Sequence, residues 1–111
     1  MGELIFQVQG SSEEPYRVQF VKKSETQLSA FCNCQAGENG QYCKHRFQIL
    51  DGITKGIVSE NLDQVPIVQN WLKGTLLEEA LQRVGEIEFE VSKLKKVLSN
   101  SKKDVAKIMH S

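Results

Sequence analysis

The chain has 111 residues, 40% hydrophobic and 25% charged, which allows one small domain with an appendage and excludes disorder throughout. Fourteen Lys and Arg balance fourteen Asp and Glu. That balance argues against tight nonspecific nucleic-acid binding, because neutralising phosphates needs a basic face. No apolar stretch approaches the roughly 20 residues needed to cross a bilayer. The start, Met1-Gly-Glu-Leu-Ile-Phe-Gln, lacks the basic and long apolar segments of an export signal. A soluble intracellular protein is expected, cytoplasmic or, in a eukaryote, nuclear, with no membrane partner.

The first third alternates with the period of a sheet. Leu4, Phe6 and Val8 share one face of a first strand, and Tyr16, Val18 and Phe20 one face of a second. Gly10-Ser-Ser-Glu-Glu-Pro15 forms the turn between them. In a third strand Leu28, Ala30, Cys32 and Cys34 fall on one face, so the core-facing row runs into two cysteines.

Those cysteines begin the most informative pattern in the chain, Cys32-x-Cys34-(x)8-Cys43-x-His45. It uses every cysteine and one of the two histidines. Three thiolates and one imidazole fill the tetrahedral sphere of one structural zinc ion. With three thiolates and Zn2+ counted, the net charge becomes about −1. A disulfide framework needs an even count and an export route, and an iron–sulfur site of mixed ligation needs a second nearby histidine. The other histidine, His110, lies at the C-terminus. Cysteines without metal remain the alternative.

Gln35 to Tyr42, with Gly37, Gly40 and an Asn-Gly step, reads as a loop returning the chain to Cys43. From about Lys44 the spacing of Phe47, Ile49, Leu50 and Ile53 predicts a helix ending near Gly56. Cys43 is placed at its cap and His45 in its first turn. Residues 57–64 read as a polar connector. Val65, Val68 and Leu72, with Pro66 in the first turn and Gly74 as terminator, predict a short helix.

Thr75-Leu-Leu-Glu78 is a capping-box pattern opening a further helix. Leu77, Val84, Val91, Leu98 and Val105 recur at seven, as do Ala80, Ile87, Leu94, Ser101 and Ile108; nine of these ten are apolar. Either this stripe packs on its own domain, or Leu77, Ala80, Val84, Ile87, Val91, Leu94 and Leu98 form the seam of a partner helix, in a homodimer or with another protein. Residues 75–98 as one helix would be roughly 36 Å long against a radius of gyration near 10 Å for a 55-residue module, which favours a partner. Ser99-Asn100-Ser101, with Asp104 at capping-box distance from Ser101, marks a candidate end of this helix and start of another. Charge is polarised, net −4 over residues 75–90 and +5 over residues 91–111. Decoration matching the helix dipole, an antiparallel partner and a basic tail for nucleic acid are three readings of it.

The fold class expected is therefore α+β: a small antiparallel meander and a helix around one zinc, a ββα-like finger over residues 1–56, then a helical extension over 57–111. Cys-x-Cys, a glycine-containing loop and Cys-x-His, on strands followed by a helix, resembles the SWIM zinc finger. The resemblance covers residues 4–55 with all four ligand positions matched. It implies a structural zinc and a module that binds DNA or proteins, and its breadth of contexts leaves the target open.

Two functions compete. One is a noncatalytic protein-interaction or adaptor module, including one within a nucleic-acid-associated complex; with four protein ligands it keeps no open metal position for a small-molecule substrate, so no enzyme is expected. The other is a DNA-binding finger using Lys22, Lys23, Lys44 and Arg46. Residues 1–52 nevertheless carry five basic and six acidic side chains, which weakens the DNA reading on charge grounds. A thiol redox protein is a third reading, in which reactivity would compete with zinc ligation.

Overall fold

The structure, a computed structural model, describes residues 2–111. It is α+β: a three-stranded antiparallel sheet followed by helices. Strands β1 (Gly2–Val8), β2 (Tyr16–Ser24) and β3 (Gln27–Cys32) pair in the order β1-β2-β3. The register sets Phe6 opposite Val18, Leu4 opposite Phe20, and Val18 opposite Cys32. Because side chains alternate along a strand, this register gathers Phe6, Val8, Val18, Phe20, Leu28 and Cys32 into one buried row. The Phe6 and Phe20 rings meet edge to face, centroids 6.0 Å apart.

Four helices follow: α1 (Gln35–Glu38), α2 (Lys44–Leu50), α3 (Val65–Leu72) and α4 (Leu76–Met109). Ile49 and Leu50 of α2 and Val65 and Val68 of α3 complete the core. The helix α2 ends at Leu50 rather than near residue 56. Gly52, at φ +83°, is its terminator, and Ile53 lies outside it. Gly56 instead bends the chain toward β1, where its carbonyl accepts the Gln9 amide at 2.8 Å.

Residues 57–64 do more than connect. Ile57 bridges Val8, the Val58 amide donates to the Gln7 carbonyl at 2.8 Å, and the Asn61 side chain donates to the Ile5 carbonyl at 2.8 Å. This segment covers the outer edge of β1. A 3-10 turn at Leu62–Gln64 then leads into α3. Gly74, at φ +78°, ends α3 as expected, and the Thr75 box forms in part: Thr75 Oγ1 accepts the Glu78 amide at 3.2 Å, while Glu78 Oε1 accepts the Gly74 amide at 3.1 Å in place of that of Thr75, which donates to the Leu72 carbonyl.

The chain divides into two compact units, Met1–Glu78 and Glu79–Ser111. The first includes residues 57–78, which the sequence reading placed in the extension, because Val65, Val68 and Thr75 are buried there. The second is helical. The helix α4 runs unbroken through Gly85 and through Ser99-Asn100-Ser101. Each of those polar residues costs under about 0.7 kcal/mol relative to alanine, less than the penalty for ending a helix and nucleating another. No helix among the described residues is long and apolar enough to cross a membrane.

Candidate metal centre

Each ligand reaches the site from a different piece of local structure. Cys32 is the last residue of β3. Cys34 is not on the strand face expected for it; it is the N-cap of α1, a helical turn where the sequence suggested only loop. Cys43 is the N-cap of α2, with His45 in the first turn, as the two-residue spacing required. All four side chains are buried.

The four ligand atoms lie within 4.8 Å of one another. Cys34 Sγ is 3.4 Å from Cys43 Sγ, and His45 Nδ1 is 3.5 Å from Cys43 Sγ and 3.7 Å from Cys32 Sγ. In a tetrahedron with metal–sulfur bonds of about 2.3 Å and metal–nitrogen bonds of about 2.0 Å, sulfur–sulfur edges are about 3.8 Å and sulfur–nitrogen edges about 3.6 Å. These three separations lie near those edges and none of the six exceeds 4.8 Å, so the group could hold a metal ion.

The surrounding residues fix the donors. The Gly37 amide donates to Cys34 Sγ at 3.3 Å, a bond that strengthens when the sulfur is a thiolate. Beyond the end of β3, the Asn33 amide donates to the Arg17 carbonyl at 3.2 Å, and the Arg17 amide donates to Asn33 Oδ1 at 2.7 Å. These bonds tie the Cys-x-Cys segment to β2. The Tyr16 ring packs on the His45 ring at 4.9 Å. Gly10 closes over both: a Cβ there would fall 2.5 Å from the Tyr16 ring and 3.2 Å from His45 Nε2. The sequence placed Tyr16 on the core face and Gly10 in a turn, but nothing in their spacing tied either to the histidine.

His45 Nε2 is buried without a hydrogen-bond partner. Nδ1 faces the sulfurs, and with Nδ1 on a metal the Nε2 proton would lie against Tyr16 and Gly10 without an acceptor, a cost that the metal–nitrogen bond would have to offset. Burial pushes the Cys32 thiol up to about 12. Burial also opposes ionisation of Cys43, but the Arg46 amide and the sulfurs of Cys34 and Cys32 outweigh it, and its thiol lies below the ordinary value. Burial, aided by the charge of Lys44, holds His45 below its usual range, which keeps the imidazole neutral and free to ligate.

Of the four basic residues read as nucleic-acid contacts, two are engaged in bonds within the fold. Lys22 Nζ donates to the Trp71 carbonyl at 2.7 Å and to that of Glu25 at 3.1 Å. Arg46 donates to the Ala30 carbonyl at 3.1 Å and to that of Gln41 at 2.6 Å. Both serve the fold. Lys23, at a register irregularity between Lys22 and Ser24, is exposed, and Lys44 is exposed between Cys43 and His45. The helical seam is displayed: Leu77 is half-buried, while Ala80, Val84, Ile87, Val91, Leu94 and Leu98 are exposed.

Compared with known proteins, the chain matches no family model, no curated sequence and no solved structure.

Proposed function

We propose that this chain is a noncatalytic zinc-binding module of the SWIM type, in which zinc holds the first unit together and α4 is the surface offered to a protein partner. The observation that carries the reading is the convergence of three sulfurs and His45 Nδ1 within 4.8 Å. Soft thiolates with one imidazole in a small tetrahedron suit zinc, and four protein donors complete its preferred coordination without a position for substrate. Supporting the family reading are the Cys-x-Cys and Cys-x-His spacings and the order of three strands, ligands and a helix. Direct DNA binding is the weaker alternative, since Lys22 and Arg46 already hold backbone carbonyls.

Metal analysis of the purified full chain tests the reading. One zinc per chain is expected, and cobalt substitution should give the visible spectrum of tetrahedral sulfur-rich ligation. A chain that retains no stoichiometric metal, or whose cobalt spectrum is octahedral, would overturn it.

A further inference from the structure

We propose that α4 pairs with the α4 of a second copy of this chain, antiparallel, in the register that sets Val91 against the partner's Leu94. The proposal rests on the reading of the chain as an interaction module and names its partner.

None of the side chains of α4 is buried, and along its seam Val84, Ile87, Val91 and Leu98 are between 41% and 55% exposed. A helix of 34 residues with a heptad stripe left in water needs a cover, and the helix's own charge selects one. Residues 75–90 carry net −4 and residues 91–111 net +5. A copy laid end to end in reverse brings each half against the opposite sign. A parallel copy would stack acid on acid and base on base along the whole length.

A two-fold axis between Ser92 and Lys93 completes the match. It layers Val91 on the partner's Leu94, Ile87 on the partner's Leu98, Val84 on the partner's Ser101 and Ala80 on the partner's Val105. Symmetry repeats the four layers as eight. Each small residue of the seam meets a branched one, whereas parallel pairing would set Ala80 on Ala80 and Ser101 on Ser101 as two thin layers. On the flanks Glu88 faces the partner's Lys95, and Arg83 faces the partner's Asp104. Parallel pairing would also match opposite flanking charges, Glu88 with Arg83 and Lys95 with Glu90. The flanks alone are therefore neutral, and the summed halves and the layers decide the direction.

This difference in flanking partners supplies the test. Sedimentation equilibrium of the zinc-loaded full chain should show a dimer at tens of micromolar. Glu88→Lys and Lys95→Glu, each on the exposed surface of α4, should separately weaken dimerisation about tenfold, since each creates two like-charge pairs per dimer. The double variant should recover to within about threefold of the original, because the two exchanged charges again face opposite signs across the pair. In a parallel pair the double variant would be the weakest of all. Ile87→Asp should weaken association by about a hundredfold or more.

A wild-type monomer at these concentrations would overturn self-pairing, and a double variant that does not recover would overturn the antiparallel register. Zinc stoichiometry on the same samples keeps the two readings apart. A zinc-loaded monomer sinks the dimer and leaves the zinc module standing. A zinc-free chain that dimerises with charge-swap recovery sustains the pairing and sinks the zinc reading.

Discussion

The Gly37 amide points at Cys34 Sγ, 3.3 Å away, from a backbone position so close to β3 that a Cβ on Gly37 would collide with the Cys32 carbonyl. The two outer residues of the Cys-x-Cys pair are thus held by one glycine, which touches the backbone of the first and the sulfur of the second. Gly37→Ala should weaken zinc affinity by about 10- to 100-fold, the range found when groups supporting a metal ligand are lost. Gly40→Ala is the control. It strains a positive φ of 69° but meets nothing within 4 Å, so it should lower zinc affinity only through the about 1–2 kcal/mol of backbone strain it adds to the folded, metal-bound chain, and by less than Gly37→Ala. Competition with a chromophoric chelator measures both.

Loss of a ligand should be more severe. Metal binding in small zinc modules contributes about 10 to 16 kcal/mol to folding. Cys34→Ser should therefore unfold residues 4–55 and collapse their dispersed amide spectrum, and chelator should do the same to the wild type. Retention of the dispersed spectrum in chelator would show that the hydrophobic row of Phe6, Val18 and Phe20 suffices.

The zinc affinity should rise with pH. The Cys32 thiol is raised to about 12 by burial in the folded chain and has its ordinary value of about 8.5 once unfolded, so in either metal-free state it is protonated near pH 7 and must release its proton to bind. Its share of the slope of log affinity against pH is about one per unit between roughly pH 6 and pH 8. His45, held below its usual value by burial, is already neutral near pH 7 and releases no proton there. Chelator competition across that range checks the slope; a flat profile would mean that Cys32 does not ligate as thiolate.

Arg46 separates structural from nucleic-acid roles. Arg46→Ala leaves the Ala30 and Gln41 carbonyls without their donor and should cost about 1–3 kcal/mol of stability. Any duplex binding should be weak, with a salt slope unchanged by Arg46→Ala and reduced by about 0.9 in Lys44→Ala if Lys44 meets a phosphate. Thermal melts and binding at two salt concentrations distinguish the effects. Submicromolar, sequence-selective binding at physiological salt would favour the DNA finger over the protein-binding module.

The strands, the starts of α2 and α3, and the box at Thr75 were legible because each has a local cause: alternation, a proline in the first turn, a threonine three residues before a glutamate. The convergence of Cys32, Cys34, Cys43 and His45 was legible from spacing, but the way Cys34 arrives was not. Gln35-Ala-Gly-Glu38 contains the glycine that usually argues against a helix, and only the Cys34 cap and the need to approach Cys32 explain the turn there. The end of α2 was misplaced because Ile53 continues the apolar spacing past Gly52. The role of residues 56–61 was hidden because their bonds to Ile5, Gln7 and Gln9 join positions some 50 residues apart and leave no trace in side-chain pattern.

The outer margin of β1 is occupied. The carbonyls of Ile5 and Gln7 and the amides of Gln7 and Gln9 are taken by residues 56–61, whereas on β3 the Arg46 guanidinium holds the Ala30 carbonyl alone. An extended peptide or a neighbouring strand would have to displace residues 56–61 before it could add at β1. Strand addition, the common route by which small sheet proteins capture ligands or grow into fibrils, is closed at the β1 edge of the folded form. At that edge it would open only when residues 56–61 detach, so a deposit grown from β1 would report local unfolding rather than ordinary self-association.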